Sequence, residues 1–214
     1  MKTNAISSHE FSALFSRLGI RQGQHPTPTQ DDWSLETLSG RMAELSSSGS
    51  SACLSAAVAI ILHAQQRGEP AAWVAVGESV FYPPDAAQSG VDLDTLPIIQ
   101  VKDTRAAART ADKLLRSGAF AVVVLDLGSS HDIRVPVQSR LAGLVKKHHC
   151  ALLCLTKKKS SDPSIGSLVS LRGETSVKKT AFDQFTWEIR FVKDKRRGPG
   201  WVHTGICRGP DGLC

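Results

Sequence analysis

Two nearly unbroken apolar runs, AFAVVVLDL at 119–127 and CALLCL at 150–155, most constrain what this chain can fold into. Neither run alternates polar with apolar residues, and this is typical of a strand that is covered on both faces. A helical pattern, VQSRLAGLVKKHH at 137–149, separates the two runs. A covered strand, a helix and a second covered strand in succession predict a parallel sheet with crossover helices.

The same alternation continues toward the N-terminus. The sequence predicts a strand at 41–45, a helix at 54–67, a strand at 71–77 and a helix at 105–118. Gly118 ends the last of these helices, where glycine commonly forms the C-cap. We therefore predict an α/β fold with a mostly parallel central sheet flanked by helices.

The C-terminal part has the character of antiparallel strands. TWEIRFVKD at 186–194 is followed by a glycine-bearing turn and then by WVHTGIC at 201–207. Glycine-bearing turns between two strand-like runs are typical of a hairpin. The predicted division of the chain is an N-terminal helix and linker at 1–32, one domain at 33–207 and a flexible tail at 208–214.

A short amphipathic helix is predicted at 7–18, where one face carries a stripe of apolar residues at helical spacing: Phe11, Leu14, Phe15 and Leu18. The following segment, 21–32, contains two prolines and has no periodicity, so it is predicted to be a linker. The stripe must be buried against this domain or against another molecule, and the period does not decide between them. We treat it as a candidate partner-binding surface.

The charge is distributed unevenly. Residues 1–133 carry 10 Lys and Arg against 14 Asp and Glu, whereas residues 134–214 carry 16 against 6. This asymmetry favours contact with nucleic acid or an acidic protein, although a solvated basic face would have the same composition. The start of the chain has no apolar signal core, and five cysteines form no dense framework, so we expect a cytoplasmic protein with no membrane contact.

The order of elements and several motifs resemble the core of RecA-type recombinases. The resemblance covers about 33–157, from GRMAEL through GVDLDTLPIIQ at 90–100 to VVVLDLGSS at 122–130. Within that superfamily, VKDKRRGPGW at 192–201 is similar to the ImuA proteins. These are RecA-like accessory factors of damage-induced translesion synthesis, related to the SulA division inhibitors. The resemblance implies a RecA-like core.

The segment SSSGSSACL at 46–54 stands where that family has its phosphate-binding loop, G-x-x-x-x-G-K-[ST]. The ungapped comparison places other residue types at every specialised position. They are Ser47 for the first glycine, Ala52 for the second, Cys53 for the lysine and Leu54 for the hydroxyl residue, with Ser51 inside the loop. A cysteine is uncharged at neutral pH, and a leucine cannot ligate a metal. We predict a degenerate nucleotide loop.

Two other positions compared with the family support this prediction, whereas a third keeps the family's residue. Gly77 stands where the resemblance places a catalytic glutamate, with Glu78 one residue away, and Lys157 replaces a nucleotide-sensing glutamine. Asp126 persists as the magnesium-side carboxylate, and alone it is better interpreted as a structural remnant that accepts hydrogen bonds from the serine-rich loop. We therefore predict that the protein is not an enzyme and uses neither an organic cofactor nor a metal.

Two weaker chemical patterns were weighed. Cys53 at a helix N-terminus could be a reactive thiol, but His63 on the same helix is more than two turns away. His203, Cys207 and Cys214 could contribute to a zinc site, but a fourth ligand and a C-x-x-C pair are missing. Neither pattern favours catalysis or metal binding.

Two basic clusters are candidates for binding DNA or an acidic partner. Recombinases of the family grip single-stranded DNA with two loops, and the resemblance places the first, in shortened form, at 128–136 and the start of the second at 156–167. The clusters are Lys157, Lys158 and Lys159, and Arg190, Lys193, Lys195, Arg196 and Arg197. Contacts of these cations with phosphates would weaken steeply with salt. Trp187 and Trp201 flank the second cluster and could stack bases, but packing in the core is the commoner role.

The resemblance implies a RecA-fold adaptor that binds RecA, capping or inhibiting its filament, and a translesion polymerase-like protein of the ImuB type in the DNA-damage (SOS) response. The helix and linker at 1–32 have the form by which RecA subunits join. Three alternatives remain open at this point: a module that binds single-stranded DNA weakly, an ATPase with a variant loop, and a SulA-like inhibitor of cell division.

Overall fold

The computed structural model describes residues 33–47, 52–77, 81–129, 132–159, 161–180 and 184–208. The predicted helix at 7–18, its stripe of Phe11, Leu14, Phe15 and Leu18, and the linker at 21–32 lie outside these residues. Ser51, Glu78 and the tail from residue 209 onward do so as well.

Five helices and eight strands form the described part of the chain. The helices are α1 (Leu35–Leu38), α2 (Cys53–Gln66), α3 (Pro83–Gln88), α4 (Thr104–Ser117) and α5 (Val135–His148). The strands are β1 (Arg41–Ser47), β2 (Ala71–Val76), β3 (Ile98–Val101), β4 (Val122–Gly128), β5 (Ala151–Lys157), β6 (Leu171–Lys179), β7 (Gln184–Asp194) and β8 (Val202–Arg208).

The strands form one eight-stranded sheet in the order β3-β2-β4-β5-β1-β6-β7-β8. The six strands from β3 to β6 in this order run parallel to one another, whereas β7 pairs antiparallel with β6 and β8 pairs antiparallel with β7. The predicted α/β class, with a mostly parallel sheet and antiparallel C-terminal strands, is confirmed. Strand β6, which the sequence patterns missed, pairs in parallel with β1 and so joins the two parts of the sheet.

Helices cover the sheet on both faces, which we call the α2 face and the α5 face. On the α2 face, α1, α2 and α3 pack over a cluster that includes Val122 and Val124. On the α5 face, α4 and α5 pack over Val123 and Leu125 of the same strand. Burial of each such side chain contributes about 1.5–3 kcal/mol, which explains why β4 is apolar at consecutive positions.

Most element boundaries agree with the sequence patterns to within three residues. Gly118 has φ 69° and its amide bonds to Leu115, so the predicted glycine C-cap is confirmed. Strand β8 extends through Arg208, which the sequence had assigned to the tail. Within the described ranges, no helix combines the length and the apolar character needed to cross a bilayer.

A β-bulge at Val192 changes which face β7 presents. Arg172 pairs with Lys193 and Gly173 pairs with Phe191, so Val192 is the extra residue. Phe191 belongs to the cluster on the α2 face. Because the bulge shifts the alternation by one position, Asp194 also turns toward the α2 face, where it meets Arg41 of β1.

Candidate functional site

The candidate nucleotide loop joins the end of β1 to the start of α2. Ser47 is the last residue of β1 and is buried, and α2 begins at Cys53. Ala52 occupies the N-cap position, where no side chain accepts a hydrogen bond from the helix. Ala52 and Cys53 are buried, whereas 40% of Leu54 is exposed. The described residues at the start of the helix therefore carry uncharged side chains, and the two at the positions of the second glycine and the lysine, Ala52 and Cys53, are small and buried.

The side chain of Cys53 points into the fold. Its Sγ lies 3.0 Å from the hydroxyl Oγ1 of Thr175 on β6, and Thr175 lies 3.5 Å from the carbonyl oxygen of Ser46. Both side chains are buried. The position at which the resemblance places a phosphate-binding lysine thus holds a neutral side chain that is packed against the sheet.

The resemblance identifies two positions at which the family has a carboxylate. This chain keeps the carboxylate at Asp126 and has Gly77 at the other position. Asp126 is 7% exposed, and its neighbours Val124 and Leu125 belong to opposite faces, so alternation directs Asp126 toward the α2 face. Its predicted bonds to the serine-rich loop involve residues outside the described ranges and stay a prediction. Gly77 follows β2 with φ 61°, a left-handed conformation suited to glycine. Its carbonyl accepts a hydrogen bond from the side chain of Gln100.

The three lysines after β5 do not form one exposed cluster. Lys157 and Lys159 are exposed, but Lys158 is only 6% exposed. Its Nζ lies 2.6 Å from Oε1 of Glu44 and donates a hydrogen bond of 2.9 Å to the carbonyl of Pro163. The structure therefore removes Lys158 from the predicted DNA or acidic-partner surface, because its ammonium is buried in an ion pair.

Glu44 is the centre of a buried polar cluster on the α5 face. Its Oε1 also accepts a hydrogen bond from Thr156 at 3.1 Å, and its Oε2 accepts bonds from the Ser164 hydroxyl at 2.7 Å and the Ile165 amide at 3.0 Å. Burial alone would raise the pKa of this carboxyl. The hydrogen bonds from Lys158, Ser164 and Ile165 lower the pKa, and together their effect is larger than that of burial. The pKa of Glu44 therefore lies below its ordinary value, and the group is ionised.

The segment that follows Lys158 is fastened at several points. Arg172 Nη1 donates to the carbonyl of Asp162 at 2.6 Å, and Gln138 Nε2 on α5 donates to the carbonyl of Ile165 at 2.9 Å. Lys195 Nζ donates to the carbonyl of Ser167 at 2.7 Å. Three elements besides β1 thus hold the segment that the resemblance equates with a DNA-binding loop.

The second basic cluster is spread along the sheet. In the register of the sheet, Arg190 of β7 lies opposite Glu174 of β6, and Glu174 lies opposite Ser46 near the end of β1. Arg196 instead donates a hydrogen bond to the carbonyl of Ser39, which precedes β1. From Arg41, the first residue of β1, to Ser46 the strand advances by five residues, which corresponds to about 17 Å. Lys195, Arg196 and Arg197 lie in the turn after β7. The structure therefore does not bring Arg190 together with the cations of the turn.

Asp194 organises that turn. Its Oδ1 lies 2.6 Å from Arg41 and accepts the Arg196 amide at 2.8 Å, and its Oδ2 accepts the indole N–H of Trp201 at 3.1 Å. Burial raises the pKa of Asp194, but the bonds from Arg41 and the turn amides outweigh it, so the pKa lies below its ordinary value. Asp194 and Arg41 thus form a buried ion pair with a structural role.

Both tryptophans near this cluster are packing residues. Trp187 is 5% exposed and lies with its ring centroid 5.3 Å from that of His203. Trp201 stacks on Phe191 at a centroid distance of 3.5 Å, and the Arg197 guanidinium lies 5.1 Å from the Trp201 ring centroid. The packing interpretation of Trp187 and Trp201 is confirmed.

The buried ion pairs of Glu44 and Arg41 were missed at the level of sequence. Both residues belong to RMAEL, a strand predicted to lie inside a sheet covered on both faces. A charge in such a strand must find a buried partner, since leaving it unpaired costs several kcal/mol. This requirement was the available signal, although it does not identify the partner.

A model of the RecA N-terminal domain family matches residues 36–154. This match covers more than half of the 214 residues, and it runs from within α1 to within β5. The chain belongs to the RecA N-terminal domain family. The match does not distinguish ImuA-type proteins from other members of the family, so the ImuA-type assignment belongs to the proposed function.

Relatives of this RecA-family chain include RecA proteins from several bacteria. Protein RecA of Bifidobacterium breve is 33% identical over 113 residues, which cover 48% of this chain and 29% of the relative. Protein RecA of Clostridium acetobutylicum is 29% identical over 137 residues, covering 55% and 39%. Protein RecA of a Picosynechococcus species is 26% identical over 179 residues, covering 74% and 51%. The chain thus spans between 29% and 51% of the length of these relatives.

Proposed function

We propose that this RecA-family protein does not hydrolyse ATP and acts as an adaptor in the DNA-damage response. In this proposal it binds RecA, limits the growth or turnover of the RecA filament, and links RecA to a translesion polymerase-like protein, as the similarity to ImuA implies. The observation that carries the proposal is the buried contact between Cys53 and Thr175 at the start of α2.

The chemistry of phosphoryl transfer explains why this contact matters. The reaction depends on a lysine and a metal ion that neutralise the charge developing on the phosphate oxygens. A buried thiol at the lysine position and a leucine at the hydroxyl position supply neither of these. The positive end of the α2 dipole remains, but alone it attracts anions weakly and unselectively.

The segment after β5 favours a protein partner over a DNA strand. A loop that wraps DNA must present its cations and adjust its backbone, whereas here Lys158 is buried and bonds from Arg172, Gln138 and Lys195 hold the carbonyl groups of the segment. Only Lys157 and Lys159 of the first cluster stay exposed among the described residues. Two cations are few compared with the phosphate contacts of a tight DNA-binding protein.

The experiment measures the steady-state ATPase rate of RecA on single-stranded DNA while this protein is added in increasing amounts. The proposal predicts that the rate falls, and that deletion of residues 1–25 removes the effect, because the predicted helix at 7–18 docks on RecA. A matched variant, Phe11→Ser/Phe15→Ser, should weaken the effect without shortening the chain.

Pull-down measurements separate the remaining alternatives. Capture of RecA and of an ImuB-type protein supports the adaptor function. Capture of a tubulin-like division protein without RecA, or an unchanged RecA ATPase rate at saturating amounts, would overturn it. A steep loss of binding to single-stranded DNA with rising salt, without any RecA capture, would instead favour the DNA-binding module.

A further inference from the structure

A groove between α4 and the start of α5 has a volume of about 700 Å³. It lies on the α5 side of the sheet, whereas the degenerate nucleotide loop leads into α2 on the other side. Its α4 wall runs from Thr104 to Arg105, Arg109 and Lys113. Nine residues of helix span about 13 Å, so the groove is long enough for a short peptide segment.

The rim of the groove carries an excess of positive charge. Arg105, Arg109, Lys113 and Arg134 line it, are exposed, and form no ion pair with any carboxylate in the described ranges. The carboxylate of Asp112 is already held by two arginines. Its contacts are at 2.5 and 2.9 Å to Arg140 and at 2.7 Å to Arg116. Asp132 is the other acidic residue among the described residues that line the groove.

Two of these cations oppose the helix dipoles. Arg105 lies in the first turn of α4, and Arg134 is the N-cap of α5. At α5 neither the N-cap nor the first turn is acidic, whereas α4 has Asp103 as its N-cap, whose carboxylate accepts a hydrogen bond from the Ala106 amide at 2.7 Å. Positive side chains at helix N-termini are unfavourable, and a bound anion reverses the sign of this contribution.

The floor of the groove is apolar. Ala108, Ile133 and Leu141 are buried beneath it, and Val137 is half-buried at its side. Among the described residues that line the groove none is aromatic, so these residues offer no platform on which nucleic-acid bases could stack. A cationic rim over an aliphatic floor complements a segment with carboxylates on both sides of an apolar residue.

We propose that this groove binds an acidic segment of a partner protein, with one apolar side chain of the segment inserted over Ala108 and Val137. The carboxylates of the segment pair with Arg105, Arg109, Lys113 and Arg134. This binding is independent of the degenerate nucleotide loop and of any contact with RecA.

Fluorescence anisotropy with a labelled peptide of Asp and Glu residues around a central Leu-Phe pair tests the proposal on the full chain. The variant Arg109→Glu/Lys113→Glu should raise the dissociation constant about ten-fold or more. The matched variant Lys146→Glu/Lys147→Glu changes the net charge equally at the far end of α5 and should raise it less than about two-fold. Circular dichroism checks that both variants are folded.

Changes in the peptide provide a test that does not depend on the stability of any variant. Replacement of Leu-Phe by Gly-Gly should weaken binding about ten-fold, because the apolar anchor is lost. Equal effects of the two protein variants, the absence of peptide binding, or displacement of the peptide by an equimolar thymidine oligonucleotide would overturn the proposal.

Discussion

The ammonium of Lys158 lies 2.6 Å from the carboxylate of Glu44, and both side chains are almost completely buried. The pair connects the residue directly after β5 with the middle of β1. Since Glu44 also accepts bonds from Ser164 and Ile165, one carboxylate fixes both ends of the segment between them. A segment that would be mobile in a DNA-binding loop is thereby held on the sheet.

Removal of the Lys158 ammonium should therefore destabilise the protein. Lys158→Met leaves Glu44 as a buried carboxylate without its cation, and we expect the free energy of unfolding to fall by about 3–5 kcal/mol. Lys159→Met removes an exposed charge and should change it by less than about 0.5 kcal/mol. Urea denaturation of the two variants makes the comparison. Equal values would show that Lys158 is not buried in an ion pair.

Acid should weaken the fold through Glu44 and Asp194. Their pKa values lie below the ordinary values of 4.5 and 3.8, so the unfolded chain binds more protons in this range than the folded chain. The stabilisation is complete above those ordinary values and is lost as pH falls through the lower pKa values of the folded state. Unfolding free energies measured from neutral pH into this acid range should fall. Glu44→Gln should show a shallower fall than the wild type, and an unchanged slope would contradict the assignment.

Two glycines should respond in opposite directions to replacement by alanine. A methyl group at Gly205 on β8 would overlap the indole ring of Trp187, and we expect Gly205→Ala to cost about 1–3 kcal/mol. Gly143 lies within α5 with open space around it, so Gly143→Ala should stabilise by about 0.5–1 kcal/mol. The melting temperatures of the two variants test these expectations. Stabilisation by Gly205→Ala would show that Trp187 does not pack over β8.

A lysine at position 53 should not fit the site. Cys53→Lys places an ammonium where a thiol packs against Thr175, and we expect a loss of about 1–3 kcal/mol. Leu54→Thr changes a side chain that is 40% exposed and should stay within about 0.5 kcal/mol. Denaturation curves of the two single variants test the contact. A stable Cys53→Lys protein would indicate a vacant lysine site.

Much of the fold could be predicted from the positions of the apolar residues along the sequence. Val122–Leu125 and Ala151–Leu155 are apolar at consecutive positions because helices cover both faces, and such runs are visible in any sequence. Strand β6 was missed because LRGETSVKK buries Leu171 and Gly173 at one end but is polar at the other.

The candidate site was less accessible to sequence reasoning. The replaced side chains of the nucleotide loop could be recognised from residue types alone. By contrast, KKK at 157–159 gives no indication that the middle lysine turns inward, because that depends on where β1 places Glu44. The separation of Arg190 from Arg196 depends in the same way on strand register and on the turn after β7.

The most direct measurement is an isothermal titration of the 214-residue protein with Mg²⁺ and a slowly hydrolysed ATP analogue, with an active RecA protein as the control. The account predicts no saturable heat for this protein, because Cys53 and Leu54 supply neither the cation nor the metal-binding hydroxyl that the phosphates require. Saturable binding of the Mg²⁺–nucleotide complex that is lost in Asp126→Ala would contradict it.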